Sequence, residues 1–272
     1  QRGYFADTSA YIMSFRNMPD SVSEISSYMQ TVQKDELFSF VSVLIKVFIT
    51  KNYEVYLGIL AAFQMLILAK IYKKYSTDFF MSMFLFVAST DYLSWMFNGL
   101  RQFTAVCIIL LAFNFILTKK YLFAILIILF ASFFHGSALL VIPFIFIVQG
   151  KAWNKKTLLF LFGVIIAVAF VDQFTNILDT ALADTQYKNV VSDWTKGQDN
   201  GTNILRVLVY SVPAIISLYG KRIIDKADNR LINICTNMSI ASAGIYLVSM
   251  FTSGIYIGRL PIYFSLFSYI LL

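Results

Sequence analysis

Residues 119–156 read KKYLFAILIILFASFFHGSALLVIPFIFIVQGKAWNKK, an apolar block with Lys119 and Lys120 before it and Lys151, Lys155 and Lys156 after it. A single helical crossing needs ~20 apolar residues to cover ~30 Å of hydrocarbon. Basic loops stay on the cytoplasmic side. Basic flanks at both ends therefore predict that 121–149 enters the membrane and returns. Each arm is then about 14 residues and, at ~1.5 Å per residue, ~21 Å long. The turn, at Phe134-His135-Gly136-Ser137, is predicted to stop short of the outer surface. Polar groups at that depth are tolerated only in a cavity or buried in protein.

The same reading extends outward. Apolar blocks recur at 53–69, 79–98, 101–118, 157–171, 202–219, 231–251 and 255–272. Residues 1–36 are polar and mixed, and Leu37–Ile49 is apolar but short and interrupted by Lys46, which predicts an interfacial or re-entrant helix. The expected fold is all-α: a polytopic transmembrane helical protein with about nine membrane segments plus that interfacial helix. It is read as one integral membrane domain over 1–272, with extracytoplasmic pieces at 1–52 and 172–201. Starting at Gln1 and stopping at Leu272 inside an apolar run, the chain is expected to be a fragment lacking segments at one or both ends.

Composition agrees. Charged residues make up 14% and hydrophobic residues 58% of the chain, against about 25% and 45–50% in soluble domains. A net charge of +7 raises the question of nucleic acid. The basic residues fall in short clusters between apolar blocks, however, so the charge marks topology and no nucleic-acid partner is expected. Cys107, Cys235 and the single histidine are too scattered for a disulfide framework or a zinc shell, and no metal or cofactor is expected. Asn200-Gly201-Thr202 fits a glycosylation sequon and equally a flexible turn.

Charge segregation supports one alternating topology. The loops 70–78, 118–120, 150–156 and 220–230 hold 12 basic and 3 acidic residues, and the rest of the chain holds 10 basic and 12 acidic. The first set is predicted cytoplasmic. Segment 1–52, the Asn98–Arg101 turn, His135, loop 172–201 and the Gly254–Arg259 turn then face outside.

Those outward residues include the candidates for chemistry. Arg101 and Arg259 stand at outer helix ends, where an arginine either snorkels to headgroups or clamps phosphate oxygens with its planar fork. His135 is either a satisfied structural residue or part of a site, since ionisable groups at membrane depth usually serve one. Asp91, two turns below Asn98, either pairs with an arginine or reaches water. Asp7 and Thr8 fit a helix cap. Asp7, Asp35 and Glu36 are the outer carboxylates nearest membrane-associated helices, and with His135 they are the choices for a general base. Serine-hydrolase, P-loop and dinucleotide patterns are absent.

The order of these blocks carries a resemblance. Asp7-Thr8-x-x-Tyr11, Glu36 before an amphipathic helix, Phe97-Asn98-Gly99-Leu100-Arg101-Gln102, Phe134-His135-Gly136-Ser137-Ala138-Leu139, and Gly258-Arg259 with Tyr263-Phe264 together resemble the EpsG family of bacterial exopolysaccharide proteins. The resemblance implies a Wzy-like polysaccharide polymerase with a GT-C-like fold, multi-pass in the bacterial plasma membrane. It implies a metal-independent glycosyltransferase using repeat units linked to undecaprenyl diphosphate, with the growing glycan chain, membrane lipid and other polysaccharide-export proteins as partners.

Carried onto this chain, it puts His135 first as catalytic base, with Asp7 or Glu36 behind it. Arg101, Gln102, Arg259, Arg2 and Tyr11 bind substrate, and Tyr187 and Trp194 of the 172–201 loop contact sugar. The alternative from another class is a transporter or flippase for lipid-linked glycans. It would need polar residues along a full membrane path, whereas the inner halves of these blocks hold few ionisable groups. A membrane acyltransferase using His135 fits poorly with an outward histidine.

Overall fold

The computed structural model describes residues 7–91, 94–181 and 199–272. Among the described residues every regular element is helical. Arg2, Tyr187 and Trp194 lie outside them. The chain divides into two compact units, Gln1–Ile142 and Pro143–Leu272.

The first unit begins with α1 (Thr8–Asn17), α2 (Ile25–Thr31) and α3 (Glu36–Phe48), followed by α4 (Tyr53–Tyr75). The expected short helix at 37–49 is α3. Lys46, which interrupts its apolar face, is buried, donates to the carbonyls of Arg16 (2.8 Å) and Met18, and pairs with Asp20 at 3.2 Å. A buried ammonium is tolerated when its donors are so engaged, and these contacts tie α3 to the end of α1. Phe15 of α1 stacks on Tyr56 of α4, ring centroids 4.1 Å apart.

Helix α4 is 23 residues long, capped by Asn52, whose side chain accepts from the Glu54 amide at 2.7 Å. Glu54 in its first turn and Lys73 and Lys74 in its last complement the helix dipole. After α5 (Phe79–Ala88) come a π-helical turn at Ser94–Asn98, then α6 (Leu100–Leu111) and α7 (Phe113–Leu117). Helix α6 is the core of this unit, buried along nearly its whole length and held to α4 by Gln64, which donates to Thr104 Oγ1 at 3.0 Å. Then α8 (Tyr121–Ser132) ends at the predicted turn. The chain restarts as a 3₁₀ segment, Gly136–Leu140, that runs into α9 (Val141–Ile147). The break between the arms thus falls where the lysine flanks and arm lengths put it.

The second unit contains α10 (Lys155–Ala169) and α11 (Val171–Ala181), with a bend of 102° between them. It continues through α12 (Ile204–Tyr219) and α13 (Lys221–Ala227), bent by 66°, to α14 (Arg230–Met250). A 3₁₀ turn at Ile257–Arg259 and two short helices, α15 (Ile262–Ser265) and α16 (Ser268–Leu271), complete it. Helix α14 is the central, most buried element. At its start Asn233 and Asn237 accept from the Ala152 and Trp153 amides (2.9 and 3.2 Å), while Arg230 donates to Gln149 at 2.7 Å. Trp153 also donates to Ser217 at 3.1 Å. The basic loops 150–156 and 220–230 therefore gather at one end of this unit, as their charge predicts.

Among the described residues two helices, α4 and α14, are individually long and apolar enough to cross a membrane, or up to four spans if each bent pair counts as one. Five shorter apolar helical stretches accompany them, so the described residues confirm the helical class and leave the expected nine crossings unconfirmed. Block 79–98 is interrupted: α5 ends at Ala88, Thr90 adopts φ 66° and Ser94–Asn98 is π-helical. Block 255–272 is divided into one- to two-turn pieces, with Pro261 between two of them.

Candidate functional site

The site in the first unit is built around Asp35. This residue occupies the N-cap of α3 with φ 53° and ψ 45°, a left-handed conformation that aspartate tolerates better than most side chains. Its carboxylate makes no capping bond. The Leu37 amide, which a cap would satisfy, donates instead to the carbonyl of Phe133 at 3.1 Å. The start of α3 is thus fastened to the turn that carries His135.

The freed carboxylate gathers Arg101 and His135. Arg101 Nη1 donates to Asp35 Oδ2 at 2.9 Å, and His135 Nδ1 stands 3.2 Å from Oδ1 and 3.4 Å from Oδ2. The Asp35 side chain is 4% exposed, that of His135 15% and that of Arg101 44%. Arg101, at the start of α6, also lies 5.8 Å from the centre of the Tyr11 ring, within cation–π range. These contacts span 66 and 100 residues of sequence.

The Asp7-Thr8 block docks on the Asn98 block. The Asp7 amide donates to Asn98 Oδ1 at 3.2 Å, and Thr8 Oγ1 donates to the Phe97 carbonyl at 2.7 Å. The π-helical turn makes this possible, since it opens the backbone just before Gly99; such turns recur at functional sites. Beside Arg101 is a cavity of about 420 Å³, with Asp7, Tyr11, Ser14 and Ser39 among its lining residues. Phe38 and Tyr56, both buried, form its apolar floor.

The other expected site residues fall elsewhere. Glu36, adjacent to Asp35, is exposed in the first turn of α3. There a carboxylate suits the helix dipole. Gln102 is buried in α6, 4% exposed. Arg259 belongs to the second unit, half-buried at the end of its 3₁₀ turn.

Asp35 is the residue that sequence reasoning weighed as a carboxylate but left out of the site. Its signal was its place one residue before the amphipathic helix, in the block that included Glu36. Asn98, Ser14 and Ser39 carried no signal beyond their neighbours.

A second polar knot closes the far end of α14. Asp199 accepts from Ser253 Oγ and from the amides of Gly254 (2.9 Å), Ile255 (3.0 Å) and Gly201 (3.0 Å). Burial pushes the Asp199 carboxyl up, but these four donors outweigh it and hold it below the usual carboxylate range. Gly201, at φ 74°, lies so close to α14 that a Cβ would stand 2.3 Å from the Met250 carbonyl oxygen. Thr202, the last residue of the sequon, is buried against Ser249 at 2.8 Å. Asn200-Gly201-Thr202 is therefore a packed turn with Asn200 exposed.

Among the described residues no group of histidine, cysteine or carboxylate side chains could hold a metal ion. No curated protein and no solved structure matches the chain. The blocks that meet in the first unit come from four separated stretches of sequence. Their order is the one by which the sequence resembles a known family, and that family's model matches residues 2–272, nearly the whole chain: the protein belongs to the EpsG family.

Proposed function

We propose that the protein is a polysaccharide polymerase, a metal-independent glycosyltransferase of the bacterial plasma membrane. It extends a glycan on the outer face from repeat units linked to undecaprenyl diphosphate. Family membership supports a role in exopolysaccharide synthesis. The observation that carries the finer reading is the meeting of Arg101 and His135 on Asp35, beside a cavity walled by Asp7 and Tyr11.

In the proposed reaction an acceptor hydroxyl attacks the anomeric carbon of the lipid-linked sugar. The new glycosidic C–O bond forms as the bond to the diphosphate breaks, and the hydroxyl proton passes to a protein base. With Nδ1 donating to Asp35, the imidazole of His135 is held in the tautomer whose Nε2 carries the lone pair, the arrangement a general base requires. The diphosphate leaves as an anion, so no strong general acid is needed. Guanidinium groups stabilise that charge as it develops. Arg101 has four N–H groups besides the one given to Asp35, and Arg259, in the second unit, is proposed in its own right as an anion-binding residue.

The test is complementation of a deletion strain with His135→Gln, Arg101→Ala and Arg259→Ala. Loss of a general base costs on the order of 10²–10⁴-fold. His135→Gln should therefore accumulate normally in membranes, make almost no polymer, and leave lipid-linked repeat units to build up. Each arginine variant should also lower polymer yield. Unchanged polymer yield from all three at normal protein levels sinks the reading.

A further inference from the structure

We infer that the basic end of the second unit is a docking surface for the headgroups of anionic bilayer phospholipids, formed by Lys151, Lys155, Arg222 and Lys226 around the short helix α13. The inference does not use the polymerase reading. It takes from the sorting of charge only that this end faces the inner leaflet.

Residues 150–156 and 220–230 hold seven basic residues against two acids. Tertiary contacts bring the two loops together. The Trp153 indole donates to Ser217 near the end of α12 at 3.1 Å, and Asn237 of α14 donates to the Lys151 carbonyl at 3.1 Å. Helix α13 begins at Lys221, just beyond Ser217, and α14 begins at Arg230. Three of the seven cations are engaged by the protein itself. Lys156 donates to the Phe146 carbonyl at 2.7 Å, Arg230 donates to Gln149 at 2.7 Å, and Lys221 pairs with Asp225 at 2.5 Å. The other acid, Asp228, is the exposed C-cap of α13. Lys151, Lys155, Arg222 and Lys226 are exposed, and among the described residues none of them forms an ion pair or a side-chain hydrogen bond.

The form of α13 selects a lipid surface as the source of the anions. Its axis is bent by 66° from that of α12. A crossing helix with such a bend lays its next two turns toward the plane of the leaflet. At ~3.6 residues per turn Arg222 and Lys226 fall one turn apart on one face. Ile223 lies on one side of them and the neutralised Lys221–Asp225 pair on the other. Ile223 is 76% exposed, and Tyr219, at the bend, is 88% exposed. Cations beside exposed apolar and aromatic side chains match the boundary between headgroups and acyl chains, where phosphates take the charge and chain carbons cover the rest. A soluble anion would pair the charges and leave Ile223 and Tyr219 in water. Clusters of ~4–8 basic residues next to a crossing helix attract anionic lipid for this reason.

The experiment reads lipid composition at α13 itself. With Cys107 and Cys235 replaced, Ala227→Cys at the exposed end of α13 carries a bimane fluorophore, and the full chain is placed in nanodiscs. Quenching is compared between spin-labelled phosphatidylglycerol and spin-labelled phosphatidylcholine in an unlabelled phosphatidylcholine bilayer. Phosphatidylglycerol should quench more at equal mole fraction. Arg222→Gln with Lys226→Gln should lower that preference by about fivefold or more, the factor implied by ~1 kcal/mol per basic residue near an anionic surface. Lys119→Gln with Lys120→Gln removes the same charge from a loop of the first unit and should leave the preference at α13 intact.

Equal quenching by the two lipids gives the surface to a soluble anion and overturns the inference. A preference that survives in the α13 double variant, or that the Lys119 and Lys120 variant lowers as much, overturns it too, because the charge then acts diffusely. Salt provides the measurement that needs no variant of the surface. Between about 0.05 M and about 1 M, where the Debye length shrinks to ~3 Å, the preference should disappear; its persistence would show that basic side chains do not hold the lipid.

Discussion

An aspartate at a helix N-cap ordinarily turns its carboxylate to the amides of the first turn. Asp35 turns it to Arg101 and His135 instead, and its left-handed backbone is what aims it there. Backbone conformations of this kind cost free energy and persist where the surroundings impose them, often at functional sites. Asp35→Asn separates charge from shape, because asparagine also tolerates φ near 53° and keeps the side-chain size. The variant should accumulate normally but lose polymer yield by ~10-fold or more, through the loss of a charge-assisted contact to Arg101 and of the fixed imidazole tautomer. Wild-type polymer per unit of membrane protein from Asp35→Asn would reduce Asp35 to a helix start.

Among the elements, the contrast between α4 and the 121–147 region shows what ends a helix in this chain. Helix α4 runs 23 residues with a side-chain cap and complementary end charges, and its buried Gln64 reaches Thr104 without interrupting the helix. The 121–147 region stops at Ser132 and restarts at Gly136, where His135 takes an extended backbone (φ −162°) and faces Asp35. In the second unit α10 and α14 approach closely at Gly244, where a Cβ would stand 2.6 Å from Phe160 Cε1 and 3.2 Å from Val164 Cγ2. Gly244→Ala should therefore destabilise by ~1–3 kcal/mol through overpacking. It should appear as a lower thermal midpoint of the purified protein in detergent. Phe160→Leu in the same chain should restore part of the loss, a coupling expected only of residues in contact.

At the scale of the molecule, charge is sorted by end. In the second unit the loops with Lys151, Lys155, Lys156, Lys221 and Arg222 lie at the start of α14, and the Asp199 turn lies at its finish. In the first unit Tyr75, after the Lys70–Lys74 cluster, reaches Asn114 near the Lys119–Lys120 pair, at the end of α6–α7 remote from Arg101. Positive loops are retained on the cytoplasmic side, so in intact cells Asn200→Cys should react with an impermeant thiol reagent and Lys155→Cys should not. Cys107 and Cys235, both buried, are replaced first. The reverse labelling pattern would invert the topology and put the candidate site on the wrong face.

The helical class, the break near His135 and the end-to-end sorting of charge were legible in the sequence, because each depends on local quantities: run length, flanking lysines and the spacing of polar residues. The family was legible too, from the order of short blocks. What the tertiary structure decided was which blocks meet and through which atom. Nothing within a helical period of Arg101 or His135 names Asp35, 66 and 100 residues away, as their common partner. Hydropathy scores 79–98 as one span, yet α5 ends at Ala88 and the π-helical turn at Ser94–Asn98 carries Asn98 onto Asp7, 91 residues away in sequence. Glu36 and Asp35 are equivalent as neighbouring carboxylates in sequence. One left-handed residue at the start of α3 separates them, leaving Glu36 exposed and burying the charge of Asp35 between an arginine and a histidine.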